Sequence, residues 1–101
     1  MTPHVIRLRG FWETTTSADG RTRHLRRFGR PRTLDPHEAI WVTCAGVPAA
    51  ATVLVNDRAV GTAEPGAAFA LELPRELQPR NELAIEVAAD GAIGDVALEI
   101  R

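Results

Sequence analysis

Residues 39–61, AIWVTCAGVPAAATVLVNDRAVG, hold two runs of alternating side chains joined by short breaks. In the first, Ile40, Val42 and Cys44 fall on one side and Trp41 and Thr43 on the other. In the second, Ala51–Val55 reads ATVLV, and Asn56-Asp57 then gives a tight turn before Arg58–Gly61 returns. A period of two over about five residues, bounded by turn formers, is the pattern of short β-strands with one buried face.

The same pattern recurs outward in both directions. Val5–Arg9, His24–Phe28, Phe69–Leu73, Leu83–Ala88 and Val96–Ile100 all alternate, and polar, Gly- or Pro-bearing breaks separate them. About eight short strands at such spacing predict an antiparallel sandwich or barrel. Helix signals are poor. Pro74 and Pro79 bracket the one candidate turn, and the Ala-rich stretches at 49–51 and 67–70 sit beside proline or glycine. The reading is all-β, with residues 1–101 as a single domain.

Composition narrows the function classes. The chain has 101 residues, 45% apolar and 25% charged, with a formal charge of −1. All twelve basic residues are arginines, and lysine and tyrosine are absent. Schiff-base chemistry and a phosphate-cradling P-loop lysine are therefore excluded. Residues 1–32 carry eight arginines against Glu13 and Asp19, a net of +6, and residues 33–101 carry four against eleven acids, a net of −7. Cys44 is the only cysteine, so no internal disulfide can form. No apolar run approaches the ~18 residues of a membrane span, and the first residues do not read as a signal peptide. The expectation is a cytoplasmic protein with no membrane contact.

Most chemistry-bearing residues read as structural. Ser17, the only serine, sits in a Thr/Ser/Asp/Gly loop with no nucleophile elbow. Cys44 falls on an apolar strand face and reads as a small buried hydrophobe. His4, His24 and His37 lack metal-ligand spacing, so neither a metal nor another cofactor is expected. Glu72, Glu86 and Glu99 alternate with apolar neighbours as solvent-facing residues. The segment 21–32, RTRHLRRFGRPR, has six arginines in twelve residues. It reads as an edge strand whose arginines block edge-to-edge pairing or meet the acidic second half. Nucleic-acid binding through this segment is the less favoured reading.

Taken in order, these segments resemble the sugar-binding domain of family 2 glycoside hydrolases, the β-galactosidase and β-glucuronidase family. AIWVTCAGVPAAATVLVNDRAVG is similar to its strand, Gly-Val turn and strand ending in Val-Asn-Gly. FALELPRELQPRNELAIEV (69–87) resembles the strand, short turn and "pGxNxLxVxV" strand, and GAIGDVALEI (91–100) resembles the closing "GIxxDVxL" strand. LRGFW (8–12) matches "LxGxW" and RHLRRFGRP (23–31) matches "YxRxF". Asp57 and Arg80 stand where the family has glycine, and Asn81 matches its turn asparagine.

The resemblance implies a jelly-roll, galactose-binding-like β-sandwich and a non-catalytic accessory or carbohydrate-binding module. In that family the catalytic carboxylates lie on a separate barrel. It also implies that Asp90, and more loosely Asp19, are loop carboxylates offered to sugar hydroxyls, although Asp-Gly at both places is first a turn signal. Arg23 and an aromatic surface, Trp12 or Trp41, complete the candidate ligand-binding set. Trp12 reads as mainly structural, and Trp41 as covering a small cluster or an interface. The alternative is an interaction module that self-associates or docks a glycosidase partner through Trp41 and the arginine face.

Overall fold

The computed structural model describes residues 4–101. Nine strands build it: β1 His4–Arg7, β2 Glu13–Thr16, β3 Thr22–Gly29, β4 Ile40–Cys44, β5 Ala51–Val55, β6 Arg58–Ala63, β7 Phe69–Glu72, β8 Arg80–Val87 and β9 Val96–Ile100. They form an antiparallel sandwich with one sheet ordered β1-β9-β4-β7 and the other β2-β3-β8-β5-β6. No helix occurs among the described residues, and none is therefore long and apolar enough to cross a membrane.

The strand that alternation does not reveal is β2. All four residues of its ETTT are exposed, so no apolar period marks it, and only its ladder with β3 makes it a strand. Its presence also corrects the place of the arginine-rich segment. Because β2 covers one flank and β8 the other, β3 lies inside the five-stranded sheet and is not an edge.

The inner faces supply the core. Ile40, Val42 and Cys44 of β4 meet Ile100, Leu98 and Val96 of β9 in register, and Val53, Val55, Leu83, Ile85 and Val87 approach from the other sheet, all nearly inaccessible. The Asn56-Asp57 turn has φ of 52° and 66°. Two successive left-handed residues make the primed turn that matches strand twist, and Asn and Asp tolerate it better than most side chains. Arg80 does not adopt positive φ, so β8 begins without the glycine of the related motif.

Asn81 closes the turn end of the five-stranded sheet. It is 2% exposed. Its Oδ1 accepts hydrogen bonds from Asn56 Nδ2 (3.0 Å) and Gln78 N (2.9 Å), while its Nδ2 donates to the Gln78 carbonyl (2.8 Å). Asn56 in turn accepts from Glu82 N through Oδ1 at 2.8 Å and donates its own N–H to the Glu82 carbonyl. The β5–β6 turn and the start of β8 are thereby tied together.

The charge asymmetry resolves on the outer face of this sheet. Arg23 pairs with Glu86 at 2.8 Å and Asp57 at 3.5 Å, and Arg27 pairs with Glu13 at 3.1 Å and Glu82 at 3.5 Å. Between these pairs runs the row Leu25–Ala84–Leu54. Each exposed pair adds only about 0–1 kcal/mol.

Replacing Asn81 with leucine strands the Asn56 amide and both Gln78 backbone groups. Chemical denaturation of N81L is expected to show a loss of about 3 kcal/mol, whereas Glu82→Gln, which removes only an exposed ion pair, shifts stability by less than about 1 kcal/mol.

Candidate functional site

Five connections gather at one end of the sandwich: 8–12, 17–21, 45–50, 64–68 and 88–95. A depression of about 1110 Å³ begins at this end and extends onto the outer face of the four-stranded sheet. Strand register explains its floor. On that outer face Arg7, Ala97, Thr43 and Ala70 lie side by side across four strands, and the next row is Val5, Glu99, Trp41 and Glu72. Three small side chains in one row leave a trough between taller neighbours.

At the loop end the wall is made by Trp12, Thr14, His24, Asp90, Gly91 and Ile93. Trp12 is half-buried against the core and donates Nε1–H to the Leu8 carbonyl at 2.9 Å. The carbonyls of Arg9 and Gly10 accept hydrogen bonds from the Arg26 guanidinium, at 3.2 and 3.0 Å. This clamp holds Gly10 and Phe11 in successive left-handed conformations, φ 64° and 59°. Phe11 is consequently lifted into solvent, 90% exposed, with the Arg26 guanidinium 5.9 Å from its ring centroid. Gly94 admits the 88–95 loop against the 45–46 backbone. A Cβ there would lie 2.8 Å from the Ala45 Cβ and 3.0 Å from the Gly46 nitrogen.

His24 faces inward from β3 and is 6% exposed. Its Nδ1 lies 3.4 Å from the Thr14 hydroxyl, and Nε2 has no hydrogen-bond partner. Burial pushes the imidazole below its ordinary pKa of 6.5; the Gly91 backbone opposes this without reaching hydrogen-bond geometry. Burial likewise raises the Cys44 thiol, which donates to the Gly46 carbonyl at 3.4 Å. Among the described residues no group of three or more His, Cys, Asp or Glu side chains is placed to hold a metal.

The five candidate residues from the sequence fall in different places. Trp12 and Asp90 both line the depression, with Asp90 Oδ1 accepting from the Gly91 N–H at 2.9 Å. Asp19 belongs to the β2–β3 turn at the same end. There its carboxylate accepts from the Ser17 hydroxyl and the Arg21 N–H, and these two bonds lower its pKa. Arg23 lies on the outer face of the five-stranded sheet, committed to Glu86 and Asp57. Trp41 lies on the outer face of the other sheet, with the Arg101 guanidinium 5.0 Å from its ring centroid. Phe11 and His24 also stand at this end of the molecule, outside the candidate set. The paired glycine and aromatic of LRGFW mark the first, whereas nothing local marks the buried histidine.

The arginine-rich segment is largely consumed within the chain. Arg23, Arg27 and Arg32 pair with carboxylates, and Arg26 and Arg30 donate to backbone carbonyls. The Arg32–Glu38 pair, with two contacts of 2.8 and 2.6 Å, holds Glu38 at a pKa of about 2 and fastens the β3–β4 connection.

No family model matches the sequence, and no curated protein matches it. Solved structures do. Over 97% of this chain, an FMN-binding β-glucuronidase from Facaelibacterium prausnitzii L2-6 superposes with a TM-score of 0.80 at 17% identity. A β-D-glucuronidase from Dictyoglomus thermophilum gives 0.80 at 15% identity over 98%. A GH2 β-galacturonidase from Eisenbergiella tayi bound to galacturonate gives 0.71 at 17% identity over 96%. The chain spans 22%, 28% and 24% of their lengths. It has the fold of a β-sandwich domain of glycoside hydrolase family 2 enzymes, as the sequence motifs imply, and is the size of one such domain.

Two outcomes are expected. The depressed His24 pKa means that the unfolded chain binds the extra proton first. Its contribution is therefore complete above pH 6.5 and is lost as pH falls from there through the lower folded value. Thermal melts between pH 8 and 5 should show His24→Gln losing less stability on acidification than the parent. Gly94→Ala should cost about 1–3 kcal/mol in denaturant unfolding, with amide chemical shifts displaced in the 45–46 and 88–95 segments.

Proposed function

We propose that the chain is a non-catalytic, carbohydrate-binding accessory module of the kind carried by family 2 glycoside hydrolases. The observation that carries this reading is the open depression, with its small-residue floor, hydroxyl and carboxylate groups and aromatic wall, on a sandwich matched along nearly its whole length by domains of those enzymes. Carboxylates such as Asp90 accept hydrogen bonds from sugar hydroxyls, and apolar floors suit the C–H faces of sugar rings. Three side-chain arrangements support the absence of catalysis. The Ser17 hydroxyl donates to the Asp19 carboxylate, the Cys44 thiol is buried, and the His24 imidazole is buried at 6% exposure.

A second reading rests on Phe11. A ring held 90% exposed by a left-handed backbone is a feature that solvent alone does not favour. Paired with Arg26, it forms an aromatic and arginine anchor of the kind that dominates protein interfaces. Its occupant in this reading is another domain of a glycosidase, in the same polypeptide or a separate one.

Heteronuclear NMR titration with neutral and acidic oligosaccharides at millimolar concentration should move resonances of Thr43, Ala70, Asp90 and Ala97, with no turnover of aryl glycosides. The absence of any shift would count against the module as a free-standing binder. Phe11→Ser should leave stability within about 0.5 kcal/mol of the parent while abolishing capture of a glycosidase barrel. Unchanged capture would remove the second reading.

A further inference from the structure

The arginines that stay unpaired point to what the trough holds. Among the described residues, Arg23, Arg27, Arg32 and Arg101 pair with carboxylates, and Arg26, Arg30 and Arg75 donate to carbonyls. The guanidinium groups of Arg7, Arg9, Arg21, Arg58 and Arg80 make no such contact, although the chain carries thirteen acids, and of these five only Arg7 and Arg9 lie at the depression. Both residues are exposed, they flank the buried Leu8, and both line the depression.

Their setting is built, not incidental. Arg7 is fixed at the β1 end of the row Arg7–Ala97–Thr43–Ala70 by its register with Ala97. The backbone carbonyl of Arg9 is held by Arg26. Strand spacing of ~4.8 Å makes the Ala97–Thr43–Ala70 floor about 10 Å across, wide enough for one pyranose ring lying flat. Arg101, stacked on Trp41 and paired with Glu99, forms the far wall. The exposed carboxylates Asp90 and Asp95 stand on the loop side. The trough thus offers cations on one side and acceptors for hydroxyl groups on another.

We propose that this trough takes a uronate saccharide, its ring over Ala97, Thr43 and Ala70 and its carboxylate on Arg7 and Arg9. A neutral sugar would use Asp90 and Asp95 and leave both guanidinium groups without an anion. A simple phosphate would meet the arginines and face the two carboxylates. A uronate has the carboxylate for one side and the hydroxyls for the other, and the guanidinium fork matches a carboxylate in geometry. The inference rests on the carbohydrate-binding reading and adds the charge of the ligand to it.

The test is calorimetric titration of the full chain with tetragalacturonate, with its methyl ester, and with a neutral galactose tetramer. The acid is expected to bind at least about tenfold more tightly than its ester or the neutral tetramer. That preference should shrink as salt rises from about 0.05 to 0.5 M. Arg7→Gln and Arg9→Gln should each weaken the acid about tenfold without moving the ester, while Arg58→Gln, an exposed site outside the depression, changes neither. Equal affinity for acid and ester would overturn the uronate assignment and leave carbohydrate binding standing. Failure of all three ligands to bind at millimolar concentration would remove both. Because ester and acid are compared on one unaltered protein, a folding defect in a variant cannot mimic the result.

Discussion

The register of β8 against β3 and β5 is the constraint on which the rest of this sandwich depends. A strand slipped by one residue turns every side chain to the opposite face. Here such a slip would drive Glu82 and Glu86 into the core and expose Leu83, Ile85 and Val87. Asn81 prevents it by spending its amide on Gln78 and Asn56, while Asn56 reaches back to both backbone groups of Glu82. Two polar side chains of modest size thereby fix which residues become core and which acids stand opposite which arginines. The buried amide is tolerated because its hydrogen-bonding groups are used, which is the condition for polar groups in a core.

Much of this was legible in the sequence because burial on one face leaves a period of two. The alternations at 40–44, 51–55, 83–87 and 96–100 are strands in the structure, and Asn56-Asp57 is a tight turn. Where burial is absent, the signal fails. β2 has no inward apolar residue, so ETTT carries no period, and its absence from the sequence reading makes β3 look like an edge. The expectation that opposite charges meet across the sheet is met by Arg23 with Glu86 and Arg27 with Glu82.

The site was less legible, for a different reason. Sequence motifs point at conspicuous residues, whereas a depression is made by small ones. Ala97, Thr43 and Ala70 are unremarkable in separate strands and become a floor only through register. The same registration separates Trp41 from Trp12 and puts Arg23 on the far sheet. Strain is also invisible in one dimension. The exposure of Phe11 follows from Arg26 gripping the carbonyls of residues 9 and 10, a contact between segments sixteen and seventeen positions apart.

The placement of the Asn56–Asn81 tie at the end opposite the 88–95 loop divides the molecule into a half that stores alignment and a half that is open to revision. Chain inserted at 64–68, or substitutions in the outer row of the four-stranded sheet, would rewrite the depression without touching the amides that set the strands. Gly94 is a tight point on the revisable side, since its contact with Ala45 leaves no room for a side chain. Such a scaffold suits stepwise change of ligand: new surface chemistry can be sampled at one pole while the other preserves the alignment of the strands.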